Sequence, residues 1–318
     1  MLDVVTCGEP MVLFSPATAG PLRHVGFFTK HVAGAELNLS VALARLGLKV
    51  GYVTRVGDDE FGRYVLACLR AENLDTSLVA ADPCRRTGVY FKEYCGLGDP
   101  QVYYYRDGSA ASAIVPADVK PETVAGIRLV HATGIMPLLS ESCFQTTNEM
   151  MRIANASGVC VSFDPNVRLR LIARERVPEF MLPFIRQAKI VFANESELEM
   201  ILGTGEAAAA ARELKGAGPE LLVVKRGVDG AAVVDLRDGR LVEGPAYKPS
   251  RYVDPVGAGD GFDAGFLFGY LAGWHLAHCL RLGNFIGALA TTVAGDYEGY
   301  PRYAEVEAAG LIPSDAKA

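Results

Sequence analysis

The sequence predicts an α/β fold in which helices cover both faces of a mostly parallel central sheet. Short apolar runs are typical of strands buried on both faces, and they occur at residues 4–8, 49–57, 129–134, 159–164, 190–194 and 221–227. Helical patterns lie between them, at residues 35–47, 61–73, 143–157, 177–188 and 206–218. Alternation of strand and helix favours parallel strands joined by crossover helices.

Two regions interrupt this alternation and predict a small second sheet. Residues about 10–33 hold short strand-like pieces without a convincing helix. Residues about 84–112 hold "TGVYFKEY", a turn at "GLGDPQ" and then "VYYYRD", which is the pattern of a β-hairpin. We expect both regions to form one small sheet that covers an edge of the main body as a lid. No linker divides the chain, so we expect residues 1–318 to form a single domain.

Composition and charge limit the classes of function. Half of the residues are hydrophobic and 21% are charged, as in a packed globular protein. The net charge of −6 and the absence of a Lys/Arg run disfavour nucleic-acid binding. The segment around Asp3 is unlike a signal peptide, and no apolar run reaches membrane-spanning length. Seven dispersed cysteines without a C-x-x-C pair indicate reduced thiols, so we expect a cytoplasmic protein with small-molecule partners, no nucleic acid and no membrane.

A glycine-rich turn at residues 254–274 carries the strongest chemical signal. "DPVGAGDGFDAGFLFGYLAGW" opens what reads as a long apolar helix, and free N–H groups at a helix start make an anion site. Asp260 lies at that point, where it is either a reactive carboxylate or simply a helix N-cap. A Walker loop is excluded because the chain has no Gly-Lys dipeptide, and the G-x-G-x-x-G fingerprint fails at Phe262.

A second signal is the run "VYYYRDGSAAS" at residues 102–112. Tyrosines favour a strand, and in a strand Tyr104 and Arg106 share one face. The guanidinium group of Arg106 is either a solvated charge at a strand end or a ligand for an anion with two oxygens.

Four motifs, in order along the chain, resemble those of the ribokinase-like carbohydrate kinases, also called the PfkB family. They are "GAELNLSVALARLGLKVGYVTRVG" (34–57) with the following "DDEFG", "NESEL" (194–198), "VVKRGVDGA" (223–231) and the glycine-rich turn (254–274). The resemblance extends over nearly the whole chain. It implies a ribokinase-like fold, ATP as phosphoryl donor and Mg²⁺ as metal.

The resemblance also implies roles for residues of the glycine-rich turn and of "NESEL". Asp260 would accept the proton of a substrate hydroxyl, as a carboxylate of ordinary pKa can at pH 7. The amides of Gly257, Ala258 and Gly259 would hold the charge that develops on the transferred phosphoryl group. Mg²⁺ would be positioned through waters by Asn194 and Glu197, although Glu197 also reads as a first-turn carboxylate favoured by the helix dipole.

Further residues are assigned to the nucleotide and to a monovalent cation by the same resemblance. The nucleotide would lie against Asn194, Lys225, Gly227, Gly230, Gly257, Gly259 and Asn284. Asn284 has a structural alternative, because polar residues between helices are commonly structural. Asp254 and Val256 resemble the family's loop for a monovalent cation such as K⁺.

The substrate is indicated by "YYYRDGSAAS", "GAELNLS" and "DPNVR", which are similar to family members that phosphorylate 2-keto-3-deoxygluconate on its 6-hydroxyl. The resemblance implies carboxylate binding by Arg106 and Arg168, because guanidinium and carboxylate groups pair in a plane. The other substrate contacts would be Gly34, Asn38, Tyr90, Tyr104 and Asp260. Relatives usually carry two glycines before "AE", whereas this chain has Ala33-Gly34, which leaves the Gly34 contact open.

Three alternatives to this function stay open. "DPNVR" also occurs in fructokinase-like relatives, so the substrate could be a neutral sugar such as fructose. Another keto sugar acid, such as the galactonate epimer, fits the same arginines. A non-catalytic sugar-acid sensor on a kinase scaffold is a third possibility, against which the retained Asp260, Asn194 and Glu197 argue. We also expect a homo-oligomer that pairs through the lid strands.

Overall fold

The computed structural model describes residues 1–96 and 100–314. Its strands are β1 (Val4–Cys7), β2 (Met11–Pro16), β3 (Phe28–Ala33), β4 (Val50–Gly57), β5 (Val79–Asp82), β6 (Val89–Glu93), β7 (Gln101–Tyr105), β8 (Leu129–Thr133), β9 (Cys160–Asp164), β10 (Ile190–Asn194), β11 (Leu221–Lys225), β12 (Ala231–Asp235) and β13 (Leu241–Gly244). Its α-helices are α1 (Ala35–Arg45), α2 (Glu60–Ala71), α3 (Pro121–Val124), α4 (Glu141–Ala156), α5 (Val177–Ile185), α6 (Glu195–Leu202), α7 (Ala207–Leu214), α8 (Ala258–Leu271), α9 (Leu276–Ala290) and α10 (Tyr303–Ala308).

The central sheet has nine strands in the order β13-β12-β11-β10-β9-β8-β1-β4-β5. From β11 to β5 neighbouring strands run parallel, and β12 and β13 add an antiparallel edge. The predicted α/β architecture with a mostly parallel central sheet is therefore confirmed, and the six predicted strands all lie in this sheet. Register matters for function, because Asn194 pairs with Lys225 and Thr133 with Asp164 at one edge of the sheet.

Two hydrophobic layers lie on the two faces of the central sheet. Along β11, Val223 packs into one layer and Leu222 and Val224 into the other. All three side chains are fully buried, as strands covered by helices on both faces should be. The apolar runs of the sequence arise from this double burial.

A second sheet of four strands, the small sheet, has the order β3-β2-β6-β7. Its strands come from the two regions that interrupt the strand–helix alternation, and β6 and β7 form the predicted antiparallel hairpin. Residues 97–99 of the predicted "GLGDPQ" turn lie outside the described residues. Alternation along β6 turns Tyr90 and Lys92 toward the protein interior, whereas Phe91 stacks on Phe14 with 5.0 Å between ring centroids.

Helices α8 and α9 pack closely because glycines face each other between them. A Cβ atom on Gly265 would lie 2.9 Å from the Cα of Gly283, so only glycine allows this approach. Residues 261–269 of α8 are all buried, which explains why the helix after the glycine-rich turn is apolar on most sides. In the described part of the chain, no helix has both the length and the apolar character that crossing a membrane requires.

Candidate active site

A cavity of about 1020 Å³ lies between the carboxyl edge of the central sheet and the small sheet. Most residues that the sequence assigns to the site line it. These are Gly34, Asn38, Tyr90, Tyr104, Arg106, Arg168, Asn194, Glu197, Lys225, Gly227, Val256, Gly257, Gly259 and Asp260. Of the other assigned residues, Ala258, Gly230, Asp254 and Asn284 are not among those that line the cavity.

Asp260 lies in the first turn of α8 and opens onto the cavity. The side-chain nitrogen of Asn38 donates to Asp260 Oδ2 at 2.7 Å, and the side-chain nitrogen of Asn166 donates to Asp260 Oδ1 at 3.4 Å. Burial raises the pKa of Asp260 to about 6, although the Asn38 hydrogen bond opposes the rise. The expectation of an ordinary pKa for this carboxyl group is therefore wrong, because burial outweighs the Asn38 hydrogen bond and the charges of Lys225 and Arg168.

The backbone before α8 takes a conformation that only glycine adopts readily. Gly257 has φ of +86°, and a Cβ atom there would lie 2.1 Å from the carbonyl oxygen of Asp296. The Asp296 backbone therefore packs directly against the glycine turn. The Ala258 amide donates to the Pro255 carbonyl at 3.1 Å, which distinguishes it from the amides of the two flanking glycines.

Lys225, at the end of β11, lies between two buried carboxylates. Its Nζ donates to Asp164 Oδ2 at 2.8 Å and lies 3.2 Å from Asp263 Oδ1. Burial would raise the pKa of Asp164, but the Lys225 ammonium outweighs burial and holds that pKa below its usual value. Burial by itself would lower the pKa of Lys225, and the charges of Asp164 and Asp263 raise it instead. The resulting cluster keeps a cation at the carboxyl edge of the sheet.

Asn194 and Glu197 form a reciprocal capping box at the start of α6. The Glu197 amide donates to Asn194 Oδ1, and the Asn194 amide donates to Glu197 Oε2, both at 2.9 Å. Glu197 Oε1 accepts the Val167 amide at 2.8 Å. Burial, with the nearby negative charge of Asp164, raises the pKa of Glu197. The helix-cap interpretation of Glu197 is therefore accurate, and its buried carboxylate also faces the cavity.

Arg106 and Tyr104 lie on one face of the small sheet, as the sequence predicts. The Arg106 guanidinium group lies 5.5 Å from the centre of the Tyr104 ring. It also forms an ion pair with Glu9, a buried residue whose other carboxylate oxygen accepts a hydrogen bond from Ser109. Burial raises the pKa of Glu9, although the Arg106 charge opposes the rise. Arg106 thus has an internal carboxylate partner that the sequence analysis did not identify.

Arg168 presents a different environment from that of Arg106. Its side chain is exposed at the cavity wall, and its hydrogen bond to the Val167 carbonyl is long, at 3.5 Å. No ion pair involves Arg168 in the described part of the chain. It is therefore the more available of the two predicted cations.

The floor of the cavity near α1 is built from Gly34, Asn38 and Tyr90. Gly34 has φ of +149°, and a Cβ atom there would lie 2.4 Å from the Glu9 carbonyl oxygen. Ala33 ends β3, pairs with Met11 and is fully buried, so its methyl group is accommodated in an ordinary strand. The alanine therefore leaves Gly34 free to line the cavity.

The remaining assigned residues lie around the cavity rather than on its wall. Asn284 donates to the carbonyl oxygens of Gly244 and Pro245, at 3.2 and 3.0 Å, which ties α9 to the end of β13. Gly230 has φ of +87°, and Gly227, which does line the cavity, has φ of +56°. The nucleotide roles of these residues stay predictions.

The sequence analysis missed several charged or polar residues that shape the site. They are Glu9, Glu36, Lys92, Asp164, Asn166, Asp263 and Asp296. A usable signal existed for Asp164 and Asp263, because each is a carboxylate in an otherwise apolar segment. The same signal marks Glu9, which stands in "VVTCGEPMVLF".

Comparison with known proteins agrees with this geometry. Residues 1–302 match the profile described as pfkB family carbohydrate kinase. A 2-dehydro-3-deoxygluconokinase from Bacillus subtilis (strain 168) is 34% identical over 302 residues, which cover 94% of this chain and 93% of the relative. The enzyme of the same name from Thermoproteus tenax is 33% identical over 314 residues, which cover 96% of this chain and 94% of the relative.

Other similar proteins also match nearly the whole chain. Fructokinase-1 from Oryza sativa subsp. japonica is 32% identical over 313 residues, covering 95% of this chain and 96% of the relative. A candidate Ribokinase II from E. coli, solved in complex with ATP and Mg²⁺, is 25% identical and superposes with a TM-score of 0.89. That similarity covers 97% of this chain and 98% of the E. coli chain. The protein therefore belongs to the pfkB family of carbohydrate kinases.

Proposed function

We propose that the protein transfers the γ-phosphoryl group of ATP to the 6-hydroxyl of 2-keto-3-deoxygluconate. The observation that carries the proposal is a single cavity that holds both kinds of group the reaction needs. Asp260 and the glycine turn lie on one wall, and Arg106 and Arg168 lie on others. The relatives named 2-dehydro-3-deoxygluconokinase support the choice of substrate.

Asp260 acts as the general base in this proposal. As the substrate oxygen attacks the γ-phosphorus, its proton moves to the Asp260 carboxylate, and the bond to the bridging oxygen of ADP breaks. A pKa of about 6 leaves this base mostly ionised at pH 7 while making it a better proton acceptor than an exposed aspartate. The amides of Gly257 and Gly259 then donate to the charge that develops on the phosphoryl oxygens.

The carboxyl edge of the central sheet suits Mg²⁺ and the nucleotide. Glu197 and Asp164 are buried carboxylates on one cavity wall, and each carboxylate oxygen can accept more than one bond. We infer that Asn194 and Glu197 hold the hydrated ion, which neutralises phosphate charge when it is bound. Lys225 and Gly227 face the phosphates, while Gly230 and Asn284 support the loops beside the nucleotide.

The sugar-acid carboxylate binds between the two arginines in this proposal. Glu9 already neutralises part of the Arg106 charge, so Arg168 supplies most of the remaining attraction. The Nε atom of Arg106 is buried without a hydrogen-bond partner in the described structure. A ligand carboxylate would satisfy that donor. Gly34, Asn38 and Tyr90 face the sugar hydroxyls.

A kinase for a neutral sugar is the second candidate, and one observation favours it. Because Arg106 is already paired with Glu9, the cavity has less free positive charge than its two arginines suggest. A neutral sugar such as fructose needs no further cation, and a rice fructokinase is among the relatives. Another keto sugar acid, such as the galactonate epimer, would use the same groups. A non-catalytic sensor explains Asp260 and its raised pKa least well.

Two further proposals concern the setting of the enzyme. The small sheet, with residues about 10–33 and 84–112, acts as a lid on a single domain, because Tyr90, Tyr104 and Arg106 reach from it over the cavity. The protein works in the cytoplasm, where ATP is available, and all seven cysteines are free thiols there.

Replacing Asp260 with Asn tests the proposed base. We expect Asp260→Asn to lower kcat by about 10²- to 10⁴-fold, because the amide cannot accept the hydroxyl proton. Binding of ATP, measured by calorimetry, should change little. Asp238→Asn, in an exposed turn, is the matched control and should keep full activity. A near-normal kcat for Asp260→Asn would show that Asp260 is not the base; it is not the N-cap of α8 either, because Gly257 holds that position.

The pH dependence of kcat/KM tests the environment of Asp260. Protonation removes the base, so kcat/KM should fall below pH about 6, by about ten-fold per unit of pH. The Asn38 hydrogen bond lowers the pKa of Asp260, and Asn38→Leu should therefore move the midpoint to higher pH. ATP titrates in the same range, but identically for both proteins. The difference between their midpoints thus reports on the enzyme, and a zero difference contradicts the assignment.

A coupled assay over a panel of sugars and sugar acids tests the substrate. We expect turnover of 2-keto-3-deoxygluconate to exceed that of fructose. Arg168→Ala should raise KM for the keto acid by about ten-fold or more, since a charge-assisted hydrogen bond is lost. Arg106→Lys should raise it less, because the ammonium can still pair with Glu9.

The exposed Arg174→Ala is the control for these arginine variants and should leave KM unchanged. If wild-type enzyme prefers fructose, and neither variant changes any KM, the sugar-acid assignment fails. The carbohydrate kinase assignment would survive that result, because it depends on the family match and on Asp260.

We also propose a homo-oligomer that forms through the small sheet. The outer face of that sheet exposes Phe28, Tyr103 and Tyr105, with 36%, 41% and 67% of each residue accessible. Phe28→Ser combined with Tyr105→Ser should lower the mass measured by light scattering, whereas Leu241→Ser on the exposed edge strand β13 should not. A wild-type mass equal to that of one chain would contradict the proposal.

A further inference from the structure

Lys92 in β6 has a fully buried side chain that ends between two carboxylates. Its Nζ donates to Asp254 Oδ2 at 2.7 Å and to Asp296 Oδ1 at 2.8 Å. The carbonyl oxygen of Ala294 lies 3.3 Å from the same nitrogen. An ammonium group has three donors, and three oxygen acceptors surround this one. The Lys92 ammonium is therefore held as a desolvated cation is held, by oxygen atoms alone.

Every oxygen of the two carboxylates already accepts at least one hydrogen bond. Asp254 Oδ2 also accepts the Tyr94 hydroxyl at 2.7 Å, and Asp254 Oδ1 accepts the Val256 amide at 2.9 Å. The second oxygen of Asp296 accepts the Tyr90 hydroxyl at 3.0 Å. The two carboxylates thus supply the opposite charge that a buried ammonium group needs.

Asp254 and Val256 are the residues that resemble the family's loop for a monovalent cation. The loop in this chain does not fit a bound K⁺, because the Lys92 ammonium already lies where the oxygens of Asp254, Asp296 and Ala294 converge and supplies the positive charge there. We propose that the Lys92 ammonium is a built-in cation that replaces K⁺ and positions the glycine turn. The inference rests on the proposed phosphoryl transfer, whichever acceptor is used.

The contacts of Lys92 connect it to the glycine-rich turn, whose amides form the proposed anion site. Asp254 lies three residues before Gly257 in the chain, and the backbone carbonyl of Asp296 packs against Gly257. Lys92 bonds to both aspartates, so one side chain of the small sheet holds two segments that meet at the turn. Tyr90, two residues earlier on the same face of β6, bonds to Asp296 as well. Lys92 is therefore a positioning residue that links the small sheet to the amides of Gly257 and Gly259.

Activity in different salts tests this inference on the wild-type enzyme. The acceptor from the substrate panel is assayed with tetramethylammonium as the sole monovalent cation, and then with K⁺ at the same ionic strength. We expect kcat and KM to differ by less than about two-fold between the two salts. A stimulation by K⁺ of about ten-fold or more would overturn the inference, since the built-in cation would then be insufficient.

Lys92→Ala tests whether the charge itself is required. In tetramethylammonium its kcat should fall by about 10²-fold, because a small misplacement of catalytic groups is costly. Added K⁺ or NH₄⁺ should restore part of that loss, which a merely structural role would not explain. Lys92→Arg should keep activity without K⁺. Unchanged kcat in Lys92→Ala, or a loss that neither ion relieves, contradicts the inference.

Lys30→Ala is the matched control, since Lys30 lies on β3 of the same sheet but is exposed over the Tyr64 ring. It should show neither a loss of activity nor a response to K⁺. Thermal unfolding gives a readout that does not depend on turnover. A ligand that binds the native state raises the melting temperature. Because the inference leaves no K⁺ site in the wild-type protein, exchange of tetramethylammonium for K⁺ should leave its melting temperature unchanged.

The outcomes separate the two proposals. If no sugar or sugar acid is phosphorylated in any salt, the proposed function is contradicted, and the melting temperatures still test for a K⁺ site. Turnover that requires K⁺, or a melting temperature of wild-type protein that rises with K⁺, would sink only the role of Lys92.

Discussion

Pairing of buried opposite charges is the constraint on which the site depends. Lys225 lies between Asp164 and Asp263 at the carboxyl edge of the central sheet, and Lys92 lies between Asp254 and Asp296 under the small sheet. A buried charge without a partner costs several kcal/mol, so removal of either lysine would leave two carboxylates uncompensated. These clusters fix the positions of the cavity walls relative to one another, because each cluster joins strands and loops that are distant along the chain.

Asp260 differs from Asp164 in having no cation paired with it among the described residues, and its chemistry follows from that. It receives hydrogen bonds from Asn38 and Asn166 but has no ion pair among the described residues. Burial therefore raises its pKa to about 6, whereas the pKa of Asp164 is held down by Lys225. Two aspartates in one cavity thus differ in proton affinity because only one of them has a cation beside it.

Sequence reasoning succeeded where a local pattern reflects a local cause. Double burial produced the apolar runs of the parallel strands, and alternation in "VYYYRD" placed Tyr104 and Arg106 on one face of β7 and its extension. It failed where a partner comes from elsewhere in the chain. Arg106 reads as a free ligand for a carboxylate, yet Glu9 from the loop after β1 is already paired with it. The sequence leaves open whether Ala33 disturbs Gly34. In the structure the methyl group of Ala33 is buried at an ordinary strand position, so it does not.

The sequence by itself determined the α/β architecture, the small sheet and the glycine turn with its aspartate, because these depend on periodicity and on residues close together in the chain. Only the tertiary structure decided which charges meet. Lys92 in "YFKEY" looks like an ordinary polar residue of a half-buried strand, and nothing near it in the chain predicts Asp254 and Asp296 as partners. Ion pairs and pKa values depend on distances of a few ångströms between side chains, and those distances are set when the two sheets pack against each other.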